Sequence, residues 1–278
     1  MRVKAAVAAL WLCAVSAQWP APVLGGEVAA VLSRSSGHYM EAFRAFSKAY
    51  NGTIDVYDLS KGEAPSEAAV VVAFGGRAAT YDRYPRTAAL VYCMAPGVDR
   101  QGGRRVDMVP EASAALKAML ALQPGLKRLA LLWSSQVYAG YAGLAKEAGR
   151  GAGVELVLSP VESGDKLPAV LRRLTGAADA IWLLPDPALV TEENFTMLRD
   201  FSRGGRLPLY VPTEGLARSG GTAAIYAGFG DMGRAAAEAV SGAAAGPVVY
   251  PDKASVYVNR EEAARLGLKD VPGGARGR

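Results

Sequence analysis

The sequence has few of the residues from which disulfides, histidine-dependent catalytic sites and zinc sites are built. Its 278 residues include two cysteines and one histidine. Cys13 falls in the amino-terminal apolar segment, so Cys93 is the only thiol of the remaining chain and an internal disulfide is excluded. With one histidine and no cysteine cluster, no metal site is predicted. The fold must therefore be held together by its hydrophobic core.

Catalytic signatures are equally scarce. The chain contains no Gly-x-Ser-x-Gly elbow, and its one histidine, His38, has no evident acid to orient it toward Ser35. Surface exposure is the simpler interpretation of His38. The sequence thus predicts a protein that is not an enzyme, with no catalytic residue and no cofactor.

Charge of one sign is not concentrated in any part of the chain. Lysine and arginine outnumber aspartate and glutamate by 31 to 26, and part of the excess lies in Arg2, Lys4 and residues 273–278. The other basic residues are scattered rather than clustered with aromatic side chains, which make up 8% of the chain. No nucleic-acid-binding surface is therefore predicted.

The longest uncharged apolar run lies near the amino terminus. Arg2 and Lys4 precede it, residues 5–15 form it, and small residues follow at 15–17, which is the pattern of a secretory signal peptide. The run is too short to span a bilayer. A periplasmic protein is therefore predicted.

Cleavage of the signal is predicted after Ala17, with a site near Gly25 or Gly26 as the alternative. Residues 1–25 are accordingly interpreted as signal peptide and spacer, and residues 271–278 as a flexible tail.

The rest of the chain alternates short aliphatic runs with amphipathic segments. Residues 180–233 show the pattern most clearly: an aliphatic run, a helix that begins at Thr191, and two further aliphatic runs closed by proline, glycine or polar residues. Runs of this kind are typical of strands buried on both faces of a parallel sheet. The sequence therefore predicts an α/β fold with parallel sheets flanked by helices.

Two connections interrupt this regular series. Residues 60–68 are too few for a helical crossover between parallel strands, so either that helix is missing or one strand is misplaced. The Gln-Pro-Gly sequence at 123–125 follows a helix predicted at 110–122 and is interpreted as the passage into a second lobe.

The ends of the predicted strands carry the candidate ligand-binding residues, because in open parallel sheets ligands bind beyond the carboxyl ends of the strands. These candidates are Ser35, Ser36, Tyr39, Phe74, Gly75, Met94, Ser134, Ser135, Pro185, Asp186, Glu214 and Tyr226.

The candidates have different expected roles, and each has a simpler alternative. The serines lie beside helix amino termini, where hydroxyls and free amides can bind a carboxylate, or they simply cap helices. Asp186 and Glu214 can hold a ligand ammonium group or remain solvated loop carboxylates. The aromatic residues line an apolar pocket or belong to the core.

Three glycines at 228, 230 and 233 follow a strand and open a helix, as in a dinucleotide-binding fingerprint. No second strand-helix unit and no ribose-binding acid follow them. A crossing between two lobes explains these glycines better than nucleotide binding does.

Five segments together resemble the type I substrate-binding proteins of bacterial ABC importers, in the branch for tryptophan- and tyrosine-like solutes. They are Leu-Ala-Leu-Leu-Trp at 129–133, Ala-Asp-Ala-Ile-Trp at 178–182 leading to Pro-Asp-Pro at 185–187, Pro-Leu-Tyr-Val-Pro-Thr-Glu-Gly at 208–215, Gly-Arg-Ala-Ala-Ala-Glu at 233–238, and Val-Asn-Arg-Glu-Glu-Ala-Ala-Arg-Leu-Gly-Leu at 258–268. The similarity covers about half of the chain, and the amino-terminal half is less similar.

The resemblance implies two Rossmann-like lobes joined by three hinge crossovers, with a ligand held between them by hinge closure. Lobe 1 is expected to comprise 26–124 and 229–248, and lobe 2 to comprise 125–228 and 249–270. The expected function is capture of a small amino-acid-like or other polar ligand by a monomer that delivers it to an ABC permease in the inner membrane. The alternative is a periplasmic sensor or interaction module that kept the fold without solute transport.

Overall fold

A computed structural model describes residues 28–244 and 246–268 of the chain. The predicted signal peptide with its spacer and the predicted tail lie outside the described residues. None of the helices in these two ranges has the length and apolar character that a bilayer span requires.

Strands and helices alternate along the described residues. The strands are β1 (Val28–Leu32), β2 (Ile54–Asp58), β3 (Val70–Phe74), β4 (Ala89–Cys93), β5 (Arg104–Val106), β6 (Arg128–Trp133), β7 (Glu155–Pro160), β8 (Ala180–Leu183), β9 (Leu209–Val211), β10 (Ala223–Tyr226), β11 (Val248–Val249) and β12 (Ser255–Val258). The helices are α1 (Gly37–Ala49), α2 (Gly76–Ala79), α3 (Ala112–Leu122), α4 (Ala139–Ala152), α5 (Leu167–Leu174), α6 (Glu192–Gly205), α7 (Glu214–Arg218), α8 (Phe229–Ser241) and α9 (Arg260–Arg265).

The strands form two six-stranded sheets, one in each lobe. In lobe 1 the spatial order is β11-β5-β4-β3-β1-β2, and in lobe 2 it is β12-β10-β9-β8-β6-β7. Neighbouring strands are parallel except β10 and β12, which run antiparallel. The central strands β1 and β3 are buried along their whole length, as their aliphatic runs predict. The predicted two-lobed α/β fold is confirmed.

The two faces of the lobe 1 sheet are covered differently. Helices α1 and α8 pack on one face, around buried side chains that include Phe46, Phe74 and Met232. The other face is covered by a single 3₁₀ turn at Leu59–Lys61, by the four-residue α2 and by loops. The helix between β2 and β3 is therefore missing, which decides between the two alternatives that the short connection leaves open.

Lobe 2 has helices on both faces of its sheet. Helices α3 and α4 pack on one face, and α5 and α6 on the other. Leu116, Met119 and Leu122 of α3 lie in the same core as Trp182. Helix α3 thus belongs to lobe 2, and the first passage between lobes lies at residues 107–111 rather than at 123–125 as the sequence suggests.

Three segments cross between the lobes and are tied to one another by backbone hydrogen bonds. The second crossing follows β10 at 227–228, and the third follows β11 at 250–254. The amide of Ala227 donates to the Met108 carbonyl at 3.0 Å, joining the second crossing to the first. The amide of Glu111 donates to the Pro251 carbonyl at 2.8 Å, joining the first to the third.

Gly233 marks the closest approach of α1 and α8. A Cβ at this position would collide with the backbone carbonyl of Ala42 on α1. Of the three glycines, Gly228 thus lies in the second crossing and Gly233 allows the helix packing beneath it, whereas a Cβ on Gly230 would meet its nearest atom at 3.7 Å.

Several short elements differ from the sequence prediction. The elements β5, β11, α2 and α7 were not predicted from the sequence, and the two arginines of β5 are buried. By contrast, α6 begins as predicted, with the Thr191 hydroxyl accepting a hydrogen bond from the Asn194 amide at 3.2 Å.

Candidate functional site

The candidate site is the edge at which the carboxyl ends of the strands of the two lobes face each other. All three crossings leave from the carboxyl end of a strand, namely β5, β10 and β11. At one end of this edge the lobes touch: a Cβ on Gly97, in the loop after β4, would lie 3.0 Å from Cδ of Pro187, in the loop after β8. The loops that carry the predicted site residues therefore lie on the side of each sheet from which the crossings leave.

Asp186 anchors the lobe 2 side of this edge. It is completely buried, and its Oδ2 accepts hydrogen bonds from the amides of Ser134 at 2.8 Å and Ser135 at 2.5 Å. Its Oδ1 accepts from the amide of Ala188 at 3.1 Å. The carboxylate of Asp186 thus occupies the position that a ligand anion would need to reach the amides after β6.

Asp58 is the corresponding anchoring carboxylate in lobe 1. It is 3% exposed, and its Oδ2 accepts from the Ser35 amide at 2.9 Å. Its Oδ1 accepts from the amide and the hydroxyl of Ser60 at 2.8 and 2.6 Å. These hydrogen bonds, first from Ser60 and then from Ser35, hold the pKa of the Asp58 carboxyl well below its usual value.

These contacts bear on alternatives that the sequence leaves open. The serines were predicted either to bind a ligand carboxylate or to cap helices, and the amides of Ser35, Ser134 and Ser135 donate to carboxylates of the chain itself. Asp186 was predicted either to hold a ligand ammonium group or to remain a solvated loop carboxylate, and the structure shows it buried with three N–H donors, as in a structural anchor. Ser36 remains exposed at the start of α1, without a side-chain capping bond.

Glu214 and Tyr226 meet at the lobe 2 edge, as their positions after β9 and at the end of β10 predict. The Tyr226 hydroxyl donates to Oε1 of Glu214 at 2.6 Å, and Nη2 of Arg218 donates to Oε2 at 2.8 Å. Burial raises the pKa of Tyr226, and the carboxylates of Glu214 and of Glu41 on lobe 1 add to the rise. Charges from both lobes therefore act on this tyrosine.

Tyr39 and Gly75 form the corresponding surface of lobe 1. A Cβ on Gly75 would lie 2.5 Å from Cε1 of Tyr39 and 2.6 Å from Oγ of Ser33, so only glycine allows this approach. Gly75 also has a φ of 98°, a conformation that glycine adopts readily. The half-buried ring of Tyr39 therefore lies directly over the turn after β3.

Phe74 and Met94 differ in what they offer to a ligand. Phe74 is fully buried and packs edge-to-face against Phe43 and Phe46, so its ring belongs to the lobe 1 core rather than to a pocket wall. Met94 directly follows β4 with a φ of 57°. Positive φ is uncommon for a side chain of this size and is concentrated at functional sites.

Tyr138 links the two lobes where they touch, and the sequence did not single it out. Its hydroxyl donates to the carbonyl of Pro185 at 2.9 Å. Burial raises its pKa, Asp107 and Asp186 add to the rise, and a hydrogen bond from the backbone of Gly97 on lobe 1 opposes it. Pro185 thus contributes its carbonyl to a hydrogen bond within lobe 2, and the backbone of Gly97 approaches the same hydroxyl from lobe 1. The Ser-Ser-Gln-Val-Tyr turn after β6 was the one signal that pointed here.

A buried ion pair lies at the first crossing. Nε of Arg105 donates to Oδ2 of Asp107 at 3.1 Å, and Nη2 of Arg105 donates to the Val137 carbonyl of lobe 2 at 3.2 Å. Burial raises the pKa of Asp107, and Arg105 opposes the rise. Arg105 of lobe 1 thus makes a hydrogen bond from its charged guanidinium group to the backbone of lobe 2.

The described residues contain no group of three or more histidine, cysteine, aspartate or glutamate side chains that could hold a metal ion. His38 stacks on Phe229 with ring centroids 4.1 Å apart, and its side chain is 70% exposed. The chemistry of the edge is therefore that of hydrogen bonding, charge and aromatic contact.

Solved structures share this architecture. A substrate-binding protein with adhesive properties from Clostridium difficile, in its ligand-free open form, matches with a TM-score of 0.57 and 12% identity over 90% of this chain and 97% of that one. An ABC domain from Streptococcus pneumonia in complex with L-Trp matches with a TM-score of 0.54 and 16% identity over 89% and 96% of the two chains. The chain has the type I periplasmic-binding-protein fold.

A conserved domain protein from Vibrio cholerae shares this periplasmic-binding-protein fold, with a TM-score of 0.53 and 12% identity over 88% of this chain and 96% of that one. No family model and no curated protein matches the sequence. The identities are low, so the likeness defines the fold, and the ligand has to be argued from the residues of this chain.

Proposed function

We propose that the protein is the extracytoplasmic solute-binding component of an ABC importer. It captures a small amino-acid-like or other polar ligand between its lobes and delivers it to a permease in the inner membrane. The signal-peptide pattern of residues 1–17 supports export to the periplasm. The fold supports capture by closure of two lobes around a ligand.

The observation that carries the proposal is the pairing of Glu214 with Tyr226 at the lobe 2 edge. Glu214 presents a carboxylate at the end of β9, oriented by the Tyr226 hydroxyl and by Arg218. A ligand ammonium group at this position would share with Arg218 a carboxylate that Tyr226 holds in place. The rings of Tyr39 and Tyr226 would then shield the ligand from water as the lobes close.

Two measurements on the exported chain test this function. Mass spectrometry of small molecules released from the purified protein should reveal a co-purifying ligand. Isothermal titration calorimetry against the twenty L-amino acids should then give about 1:1 binding. Complete absence of heat, of a melting shift and of a co-purifying molecule would overturn the proposal.

A matched pair of variants locates the ligand. Glu214→Gln keeps an acceptor for Tyr226 but removes the charge, so affinity for an ammonium-bearing ligand should fall by about tenfold or more. Glu147→Gln removes an exposed carboxylate of α4, which pairs with Arg150 away from the strand ends, and should leave affinity unchanged. Equal effects of the two changes would argue against Glu214 as a ligand contact.

The second candidate is a periplasmic sensor or interaction module without solute transport. It is favoured by the amides of Ser35 and Ser134, which are occupied by carboxylates of the chain itself. A module of this kind would bind no amino acid and would show the same radius of gyration with and without the panel. A radius of gyration that decreases when a ligand is added would support solute capture instead.

A further inference from the structure

The proposed function does not specify which group of this chain binds the carboxylate of the ligand. In lobe 2 the amides of Ser134 and Ser135 already donate to Asp186, and in lobe 1 the Ser35 amide already donates to Asp58. Each of these carboxylates is buried and held by three donors. A ligand carboxylate would have to displace them, at the cost of leaving a buried charge without partners.

Two arginines stand at the same edge of lobe 1. Arg34 follows β1 and Arg77 lies in α2 after β3, and these neighbouring parallel strands are in register with Leu32 opposite Phe74. Both arginines are exposed, and neither has an ion-pair partner within the described ranges. Their guanidinium groups are therefore available to a ligand.

The backbone holds the two arginine positions close together. The amide of Ser33 donates to the Phe74 carbonyl at 2.9 Å, and the Ser33 hydroxyl accepts from the amide of Ala78 at 2.9 Å. Arg34 is one residue after Ser33, and Arg77 is one residue before Ala78. The two positions thus flank a buried hydrogen bond that fixes one loop against the other.

The surface between them suits a ligand with an apolar body. Gly75 is buried beneath the half-buried ring of Tyr39, so an aromatic ring covers the turn after β3 without an intervening side chain. Guanidinium groups bind carboxylates through two parallel hydrogen bonds, which fixes orientation as well as charge. The acid of this edge, Asp58, is already satisfied by Ser35 and Ser60.

We propose that Arg34 and Arg77 bind the carboxylate of the ligand, so that the substrates are carboxylic acids of the amino-acid class held at lobe 1 by side chains instead of backbone amides. This assignment rests on the proposed solute-binding function. It gives the ligand a direction, with its carboxylate toward lobe 1 and its ammonium toward Glu214 of lobe 2.

The test compares matched compounds by calorimetry on the full exported chain. For each of the twenty L-amino acids that binds, the primary amide and the deaminated acid are titrated as well. The amide should bind at least about tenfold more weakly than the amino acid, because it lacks the charge that the arginines recognise. An amide that binds as tightly as its parent acid overturns the assignment while leaving solute capture intact.

Variants assign the effect to the two arginines. Arg34→Ala with Arg77→Ala should reduce affinity for the amino acid and abolish the preference over its amide. Arg44→Ala removes an exposed arginine of α1 two turns from its start and should preserve both. Preference retained in the double variant overturns the assignment. Absence of binding by every compound to the unaltered protein overturns the proposed function and this inference with it.

Discussion

Gly233 on α8 packs against the backbone of Ala42 on α1, with no room for a side chain between the two helices. Any Cβ at position 233 would overlap the Ala42 carbonyl, and backbone cannot move aside as a flexible side chain can. The closeness of α1 and α8, which cover one face of the lobe 1 sheet, therefore depends on this one glycine.

Gly233→Ala should destabilise the protein by about 3 kcal/mol, because the overlap forces the two helices apart. The measurement is the free energy of unfolding in urea. Gly230 provides the matched control on the same helix, since the nearest atom to a Cβ there is 3.7 Å away. Gly230→Ala should be neutral or stabilising by up to about 1 kcal/mol. Similar losses in both variants would refute the packing argument.

Asp186 should be needed for stability more than for ligand recognition. Asp186→Ala leaves three partly buried amide hydrogen-bond donors, those of Ser134, Ser135 and Ala188, without their acceptor, and should cost about 2 kcal/mol in urea unfolding. Asp82→Ala, at an exposed aspartate of the loop after α2, should change stability by less than about 0.5 kcal/mol. A loss below about 1 kcal/mol for Asp186→Ala would show that the anchoring role is wrong.

The Tyr138 hydroxyl should favour the conformation in which the lobes touch. Tyr138→Phe removes the group shared by the Gly97 backbone of lobe 1 and the Pro185 carbonyl of lobe 2, so the ligand-free protein should open. Small-angle X-ray scattering should show a larger radius of gyration than that of the unaltered protein.

Tyr210→Phe is the control for Tyr138→Phe. The Tyr210 hydroxyl donates to Oε1 of Gln123 at 3.0 Å, and both residues belong to lobe 2. Each variant should lose about 1 kcal/mol of stability, but only Tyr138→Phe should change the radius of gyration. An unchanged radius for Tyr138→Phe would exclude its hydroxyl as a link between lobes.

Stability should fall in acid through Asp58. The pKa of its carboxyl in the folded protein lies below the ordinary value of 3.8, because Ser60 and Ser35 donate to the ionised form. The stabilisation is therefore complete above the unfolded pKa and is lost as the pH falls below it. The difference in unfolding free energy between the unaltered protein and Asp58→Asn should shrink between about pH 5 and pH 2.5.

A second variant checks that the hydrogen bonds are responsible. Ser60→Ala keeps the Asp58 carboxylate but deletes the hydroxyl that donates to it, so the folded-state pKa of Asp58 should rise toward its unfolded value. Less stability should then be lost as the pH falls below 3.8 than in the unaltered protein. Parallel pH profiles for the unaltered protein and Asp58→Asn would contradict the assignment.

The strands that were predicted correctly are those that can be recognised from the residues of the strand and its flanking turns alone. Residues 180–183 and 223–226 are aliphatic and closed by turn residues, so pattern alone places them. Strand β5 was missed because its sequence is Arg-Arg-Val. Its arginines are tolerated in a buried strand because Arg104 donates to the Ala239 carbonyl at 2.8 Å and Arg105 donates to the Val137 carbonyl at 3.2 Å, and both partners are set by tertiary structure.

Dependence on long-range contacts also limited how much of the candidate site could be predicted from the sequence. Glu214 and Tyr226 could be brought together from the sequence because they end neighbouring strands. That Asp186 would occupy the amides of Ser134 and Ser135 could not be predicted, since donor and acceptor are about fifty residues apart and meet only in the folded sheet. The assignment of α3 to lobe 2 likewise depends on long-range packing rather than on its own amphipathic pattern.

The backbone bonds between the crossings, from Ala227 to Met108 and from Glu111 to Pro251, restrict how the halves of the molecule can move. One crossing cannot twist or slide alone without breaking hydrogen bonds to its neighbours. Any relative motion of the lobes that keeps these bonds must therefore displace all three segments together. Under the proposed solute capture, the same two surfaces would face each other before and after such a motion.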